Sequence, residues 1–241
     1  MKILLTLLAS GKLGKVLLTA GTMLLSVISY AWIFGWLYAA GFVLLIFVHE
    51  MGHYAAARQR GLAVGAPTFI PFVGAWIQLK ELPHDVETEA YVGLAGPLFG
   101  SLGALACYFL ARHSGSMLLL ALAYAGFFLN LFNLIPLSPF DGGRITAIIS
   151  PRVWLLGVPI LVGLFFYSPS PLLVMMAVMA APQAFKAWKY DASAPENAVY
   201  YSVSLEQRIM YGIYYLGLAA FLAVMSHDVH QMLGSLHRSG S

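Results

Sequence analysis

The sequence predicts an all-α polytopic membrane protein, with six or seven transmembrane helices and a membrane-embedded strand or hairpin loop after the second span. Three observations predict it. Hydrophobic residues make up 60% of the 241 and charged residues 10%, with a mean hydropathy of +0.80. A soluble domain carries about 25% charged residues, so a water-facing surface cannot be assembled from so few. Uncharged apolar runs also recur at the length of roughly 20 residues that a hydrocarbon core of about 30 Å demands of a helix. Finally, the segment 62–83 interrupts that pattern with Gly65, Pro67, Pro71, Gly74 and Pro83.

Taken in order, residues 1–15 (MKILLTLLASGKLGK) lack an A-x-A-like cleavage site and read as a retained segment at the membrane surface. Val16 to Trp36 is a first span without a charge. Leu37 to about Ala57 is a second, apolar until it reaches His49-Glu50-Met51-Gly52-His53. The breaker-rich 62–83 segment, with its Phe, Ile, Val and Trp, suits short strands. Such a loop survives at membrane depth only when buried in protein or lining a cavity. Ala90 to Ala111 and Ser116 to about Leu137 are the third and fourth spans. Val153 to Phe185 is too long for one crossing at about 1.5 Å per residue, and Ser168-Pro169-Ser170-Pro171 divides it. Ile209 to Ser226 is the last candidate; one of the final three segments could dip rather than cross. Asp191 to Ser204 reads as a polar connector and 227–241 as a loose tail. The expected organisation is one membrane-embedded domain over 1–241, with a core at about 34–149 and further spans at about 153–226.

Basic residues orient the chain. If crossings alternate, Lys2, Lys12, Lys15, Arg58, Arg60, Lys80, Arg144, Arg152, Lys186, Lys189 and Arg208 share the side of the N-terminus, and only Arg112 and Arg238 face the other. That asymmetry makes the first side cytoplasmic, in a multi-pass protein of the cell membrane. The small, scattered net charge of +3 offers no nucleic-acid patch. The single cysteine, Cys107, excludes an intrachain disulfide and a Cys-rich zinc knuckle.

His49-Glu50-x-x-His53 is the central motif. Residues i and i+4 project from one helix face, so both imidazoles can converge on one ion. Glu50, one residue from the first, misses the ion yet reaches a water beside it; zinc lowers that water's pKa toward about 7 and the glutamate takes its proton. With Arg58 at the boundary, His53 lies about 8 Å deep and His49 about 14 Å. Ionisable side chains at a helix centre in lipid cost about 2.5 to 3.5 kcal/mol each, which argues for a metal or partners. A catalytic zinc needs a third protein ligand and an open position. Glu81, Asp85, Glu87 and Glu89 read as a solvated loop, and Glu196 and Glu206 flank another. Asp141 instead closes an apolar run broken by Pro and Gly; it is either a metal-site carboxylate or the N-cap of a short helix at 143–149. Asn133 either donates to a substrate carbonyl or oxyanion or bonds between helices. Asn130 reads as structural. Gly52 and Ala55–Ala57 allow close helix packing. His84, His113, His227, His230 and His237 read as solvated.

HEMGH in an apolar helix, followed by NLIPLSPFDGGR (133–144), resembles the site-2 protease family of intramembrane zinc metalloproteases, in a compact form without PDZ or CBS domain. Ala95-Gly96-Pro97 and the loop after the second span support it, and the resemblance covers roughly 34–149. It implies one zinc ion per chain held by His49, His53 and Asp141, Glu50 as catalytic base, and Asn133 as the family asparagine near the active site. Two features depart from the family: Gly100 stands where the middle motif ends in Asn, and no PDZ or CBS domain is there to select substrates.

The resemblance implies hydrolysis of peptide bonds within or near the membrane segment of single-span, membrane-anchored substrates, and the charge asymmetry places the motifs near the cytoplasmic face. The segment 69–79 would pair with the unwound substrate by strand addition. Two other readings stay open. A gluzincin-like membrane zinc protease would use a carboxylate other than Asp141, and a non-catalytic chaperone or transporter would use the histidines without stoichiometric zinc. The lipid bilayer is a required partner on every reading; oligomeric state is not legible.

Overall fold

The computed structural model describes residues 12–79 and 83–239, with side chains omitted for residue 12, residues 76–79 and residues 236–239; the segment read as lying at the membrane surface falls largely outside them. The chain is a multi-pass membrane protein. Five described helices are long and apolar enough to cross a bilayer, and two shorter apolar helical segments accompany them, in keeping with the six or seven spans expected.

Helix α1 (Lys12–Phe34) and α2 (Trp36–Gln59) meet at Gly35. Its φ of 83° lies in the left-handed region that costs glycine nothing. The expected strands follow as an antiparallel hairpin, β1 (Val64–Ile70) and β2 (Gly74–Leu79). Its attachment to α1 is polar. Thr19 Oγ1 donates to Pro67 O at 2.7 Å, Thr22 Oγ1 accepts from Phe69 N at 3.2 Å, and Tyr30 Oη accepts from Phe72 N at 3.0 Å. Three hydroxyls thereby satisfy backbone groups at an edge and tip that lipid cannot solvate. The hairpin lies between α1 and α2, with β1 against α1 and β2 against α2.

Helix α3 (Val86–Ser114) packs against α2 and against α4 (Met117–Asn133). Small residues set the spacing: a Cβ at Gly52 would strike the Ala95 carbonyl, and one at Gly126 would meet Ala104 Cβ at 2.9 Å. Close approach of this kind replaces the hydrophobic drive that lipid removes. Helix α4 stops at Asn133, four residues short of the expected end at Leu137, because Leu134–Phe140 turns through tight bonds such as Leu137 N to Ile135 O (2.7 Å) and Phe140 N to Leu137 O (2.9 Å). Short α5 (Asp141–Thr146) and a 3₁₀ turn (Pro151–Leu156) lead to α6 (Gly157–Tyr167) and α7 (Pro171–Trp188). The expected break at 168–170 is present between α6 and α7.

The remaining chain departs from expectation in three places. The polar connector contains a short helix, α8 (Pro195–Tyr200). The loose tail is the continuation of α9 (Leu205–Ser239); Val229 is fully buried, Met232 and Leu233 pack on the same core, and His230 lies beside the Tyr124 ring. An apolar residue every three or four positions holds that extension down despite its charges. Thirdly, of the acidic group after the hairpin, Glu81 lies outside the described residues, and Asp85, Glu87 and Glu89 are partnered at the start of α3 rather than free in a solvated loop. Asp85 caps α3 by accepting from Thr88 N at 2.7 Å. Glu87 takes a two-pronged bond from Arg60 (2.8 Å each) and a third from Tyr211 Oη (2.7 Å). Glu89 accepts from Tyr200 Oη at 2.7 Å; burial, with the Glu89 charge beside it, holds that phenol protonated far above the usual tyrosine range.

The Arg60–Glu87–Tyr211 cluster ties the ends of α2, α3 and α9 together. Glu87→Ala should lower unfolding stability by about 1–2 kcal/mol, as loss of hydrogen bonds to a charged group does. Arg60→Ala added to it should cost little more, since the two share one interaction. Thermal unfolding in detergent of the single and double variants measures both.

Candidate metal centre

Helix α2 carries His49, Glu50 and His53, all at most 7% exposed although surrounded by apolar sequence. The i, i+4 spacing places both imidazoles on one face, and their Nε2 atoms lie 3.1 Å apart. Asp141, 7% exposed, reaches the same point from the other side of the fold. Its Oδ2 is 3.1 Å from His49 Nε2 and its Oδ1 is 3.2 Å from His53 Nε2. Asp141 is the first residue of α5, and Phe140 rather than Asp141 holds the cap position, without a side-chain bond. The N-cap alternative for Asp141 is therefore not what the fold uses.

Several contacts hold Asp141 in place. Gly142 and Gly143 press against the backbone of Leu134, Ile135, Leu137 and Ser138 so closely that no Cβ fits. Trp154 Nε1 donates to Gly143 O at 2.8 Å, Thr146 Oγ1 to Gly142 O at 2.7 Å, and Tyr215 Oη to Leu134 O at 2.7 Å. The Arg208 guanidinium donates to the carbonyls of Ile148, Ile149 and Tyr201. Helix α3 forms the wall between the two halves through one glycine face. A Cβ at Gly93 would meet Arg144 Cβ and Asp141 O, one at Gly96 would overlap the His53 ring, and one at Gly100 would overlap the Asn130 amide. Spacings of three and four put these glycines on a single helix surface.

The far side of each imidazole is engaged as well. His53 Nδ1 donates to Val92 O at 2.7 Å and His49 Nδ1 bonds Asn130 Oδ1 at 2.8 Å. With both Nδ1 atoms donating, each imidazole in its neutral form leaves Nε2 as a bare lone pair. Two lone pairs and a carboxylate then converge within 3.2 Å of one another in an apolar interior. Such a triangle is repulsive unless a cation occupies it. Tetrahedral zinc with arms of about 2.0–2.1 Å separates its ligands by roughly 3.3–3.4 Å, close to what is observed. The donor set of two imidazole nitrogens and one carboxylate suits a catalytic zinc. Glu50 also lies within the 4.8 Å group formed with His49 and His53.

The other expected residues sort plainly. Asn133 ends α4, half-buried; its Nδ2 donates to Leu129 O at 3.1 Å, and among the described residues no hydrogen bond links it to the imidazole–carboxylate cluster. Asn130, read from sequence as structural, is the residue bonded to His49. The available signal was a polar amide in the middle of an apolar span, which at 1% exposure had to find partners. Arg144 Nη1 approaches Asp141 Oδ1 only to 3.9 Å. His84, His113, His227 and His230 are exposed, as expected.

Residues 37–116 match the model of Peptidase family M50, a stretch that holds α2, the hairpin and α3. The chain is 32% identical over 124 residues to the zinc metalloprotease MJ0392 of Methanocaldococcus jannaschii, covering 48% of this chain and 36% of that protein. It is 30% identical over 125 residues to Rip3 of Mycobacterium tuberculosis (46% and 31%) and 34% identical over 68 residues to the chloroplastic EGY1 of Arabidopsis thaliana (26% and 12%). The words zinc metalloprotease stand in all three names. The matched part of the chain spans about a third of the length of the first two relatives.

Because Gly96 is the floor under His53, Gly96→Ala should push that ring aside and weaken zinc binding about 10- to 100-fold, the scale of a disturbed ligand shell. Gly217→Ala, with nothing within 4 Å of an added Cβ, should bind as the parent does. Competition with a chromophoric chelator compares the two.

Proposed function

We propose that this chain, a member of the site-2 protease family (Peptidase family M50), is an intramembrane zinc endopeptidase of the cell membrane. It cleaves single-span, membrane-anchored proteins within or near their membrane segment, as in regulated intramembrane proteolysis. One observation carries the reading: the two Nε2 atoms of His49 and His53 lie 3.1 Å apart and each is 3.1 or 3.2 Å from its own oxygen of Asp141, with a second carboxylate, Glu50, beside them. The positive-inside pattern of the sequence supports a cytoplasmic N-terminus and a site opening toward that face.

His49, His53 and Asp141 would hold the zinc, which when bound supplies Lewis acidity for activating water and polarising a peptide carbonyl. The remaining steps belong to the chain. Glu50 takes the proton of the attacking water and returns it to the leaving amine nitrogen as the carbon–nitrogen bond breaks. Asn133 is the amide assigned to the substrate carbonyl or its oxyanion; an amide has two N–H donors, and the bond to Leu129 O uses one. Burial of the whole cluster strengthens each of these interactions.

The hairpin supports a role in holding unwound substrate. Phe69 N and Pro67 O turn toward α1 and hence away from β2. Their register partners, Ala75 and Ile77, therefore form non-hydrogen-bonded pairs with them and direct their own N–H and C=O groups away from β1. That is the edge at which an extended substrate strand would add, on the strand that lies against α2.

Glu50→Gln should abolish cleavage of a membrane-anchored test substrate while the protein keeps its zinc. Asp141→Ala should lose the zinc; full occupancy in that variant would favour the gluzincin-like alternative. Absence of stoichiometric zinc in the parent would favour the non-catalytic one. Ala75→Pro removes one outward N–H without touching the β1–β2 ladder, and should slow cleavage at least tenfold with zinc content unchanged. Metal analysis of purified protein and cleavage in reconstituted vesicles measure all three.

A further inference from the structure

We infer that Asn130 is the positioning residue for His49, and that Gly100 exists as the seat for its amide. This rests on the metal-site reading above and assigns a role to two residues outside the expected ligand and base set.

The geometry fixes the chemistry without ambiguity. Asn130 Nδ2 lies 2.7 Å from Gly126 O. A carbonyl only accepts, so the amide must present its NH₂ there. The other end of the same amide is then an oxygen, and it faces His49 Nδ1 at 2.8 Å. An amide oxygen also only accepts, so Nδ1 carries a proton, and in the neutral ring the Nε2 lone pair points at Asp141 and His53. The backbone of α4 thus dictates, through one side chain, which nitrogen of a residue on α2 is free to bind a cation.

The two imidazoles are held differently. His53 is fixed by the Val92 carbonyl, a backbone group that survives any substitution at that position. Among the described residues, His49 has Asn130 as its only side-chain orienter outside the donor cluster. A Cβ at Gly100 would overlap Oδ1, Nδ2 and Cγ of Asn130, so α3 must present glycine for the α4 amide to fit. Because that seat touches both helices, an amide grown from position 100 could fill the space that Asn130 vacates. A bond serving only to glue helices would not depend on which end of the amide faces the histidine. An orienter does.

The test uses the full-length protein in detergent and reads zinc affinity by chelator competition, the visible spectrum of the Co²⁺-substituted site, and thermal unfolding. Asn130→Leu should bind zinc about 10- to 100-fold more weakly and alter the Co²⁺ ligand-field bands. Asn130→Asp keeps an oxygen acceptor for Nδ1 although it loses the donor to Gly126 O, and should bind zinc at least threefold more tightly than Asn130→Leu. Asn130→Gly should lose affinity as the leucine variant does, and adding Gly100→Asn should restore at least tenfold of it. The inference is overturned if Asn130→Leu matches the parent in affinity and spectrum. It is equally overturned if affinity falls only in step with thermal stability and neither Asn130→Asp nor the Gly100→Asn combination recovers it. A parent protein that binds no stoichiometric zinc sinks the metalloprotease reading and this inference together; a zinc-binding parent with an indifferent position 130 sinks this inference alone.

Discussion

Two bare imidazole nitrogens and a carboxylate are held 3.1–3.2 Å apart where almost no water reaches, and the rest of the fold is arranged around that constraint. With neutral imidazoles each group is an acceptor, so bringing them together without a cation costs energy, and the apolar surroundings raise that cost. The arrangement persists because each member is fixed from behind by something that does not depend on the others. Val92 O and Asn130 hold the imidazoles. Trp154, Thr146, Tyr215 and Arg208 hold the α5 turn that carries Asp141. Orientation by an outer layer of hydrogen bonds tunes a metal site as much as the ligands do.

The wall between the two halves is a glycine face. Gly93, Gly96 and Gly100 lie on one side of α3 and meet, respectively, Asp141 with Arg144, His53, and Asn130. A helix that brought side chains to this surface would push α2 and the α5 turn apart. Polar groups occupy the volume that side chains would otherwise take, and that is how His53, Asn130 and Asp141, all buried, fit into a region whose sequence is overwhelmingly apolar. Packing and chemistry here are one constraint: the same absence of Cβ atoms that lets α2, α3 and α4 approach also leaves room for the donors.

Much of this was legible in the sequence. Span positions follow from hydropathy, since each approximates a bilayer thickness and carries its own breakers; Gly35 and Ser168–Ser170 fall where the chain turns. The i, i+4 histidines give their own geometry once the helix is assumed. What stayed hidden were contacts between segments distant in sequence. Asn130 looked like generic interhelical glue because nothing local says that it faces His49 rather than any other helix. Glu87 and Glu89 looked solvated because their partners, Arg60, Tyr211 and Tyr200, come from other helices. The 227–239 helix was missed because its apolar residues are sparse, and their effect appears only when α4 and the core are there to receive them. Asp141 could be singled out as unusual, but its partners came only with the family resemblance.

Glu50 and Asp141 show why the same functional group can take two parts. Both are carboxylates, both are buried, and both lie near the imidazoles. Asp141 sits on a turn fixed by four hydrogen-bond donors and points each oxygen at a different Nε2; it has little freedom and suits a ligand. Glu50 follows His49 directly on a straight helix, so its side chain leaves the backbone about 100° around the axis from that of His49. Its carboxylate lies within the 4.8 Å group formed with the two imidazoles, and it has one more methylene with which to move. A proton carrier must pick up at one atom and deliver at another, which requires that motion, whereas a ligand works best without it. Chain length and backbone setting divide the two proposed roles.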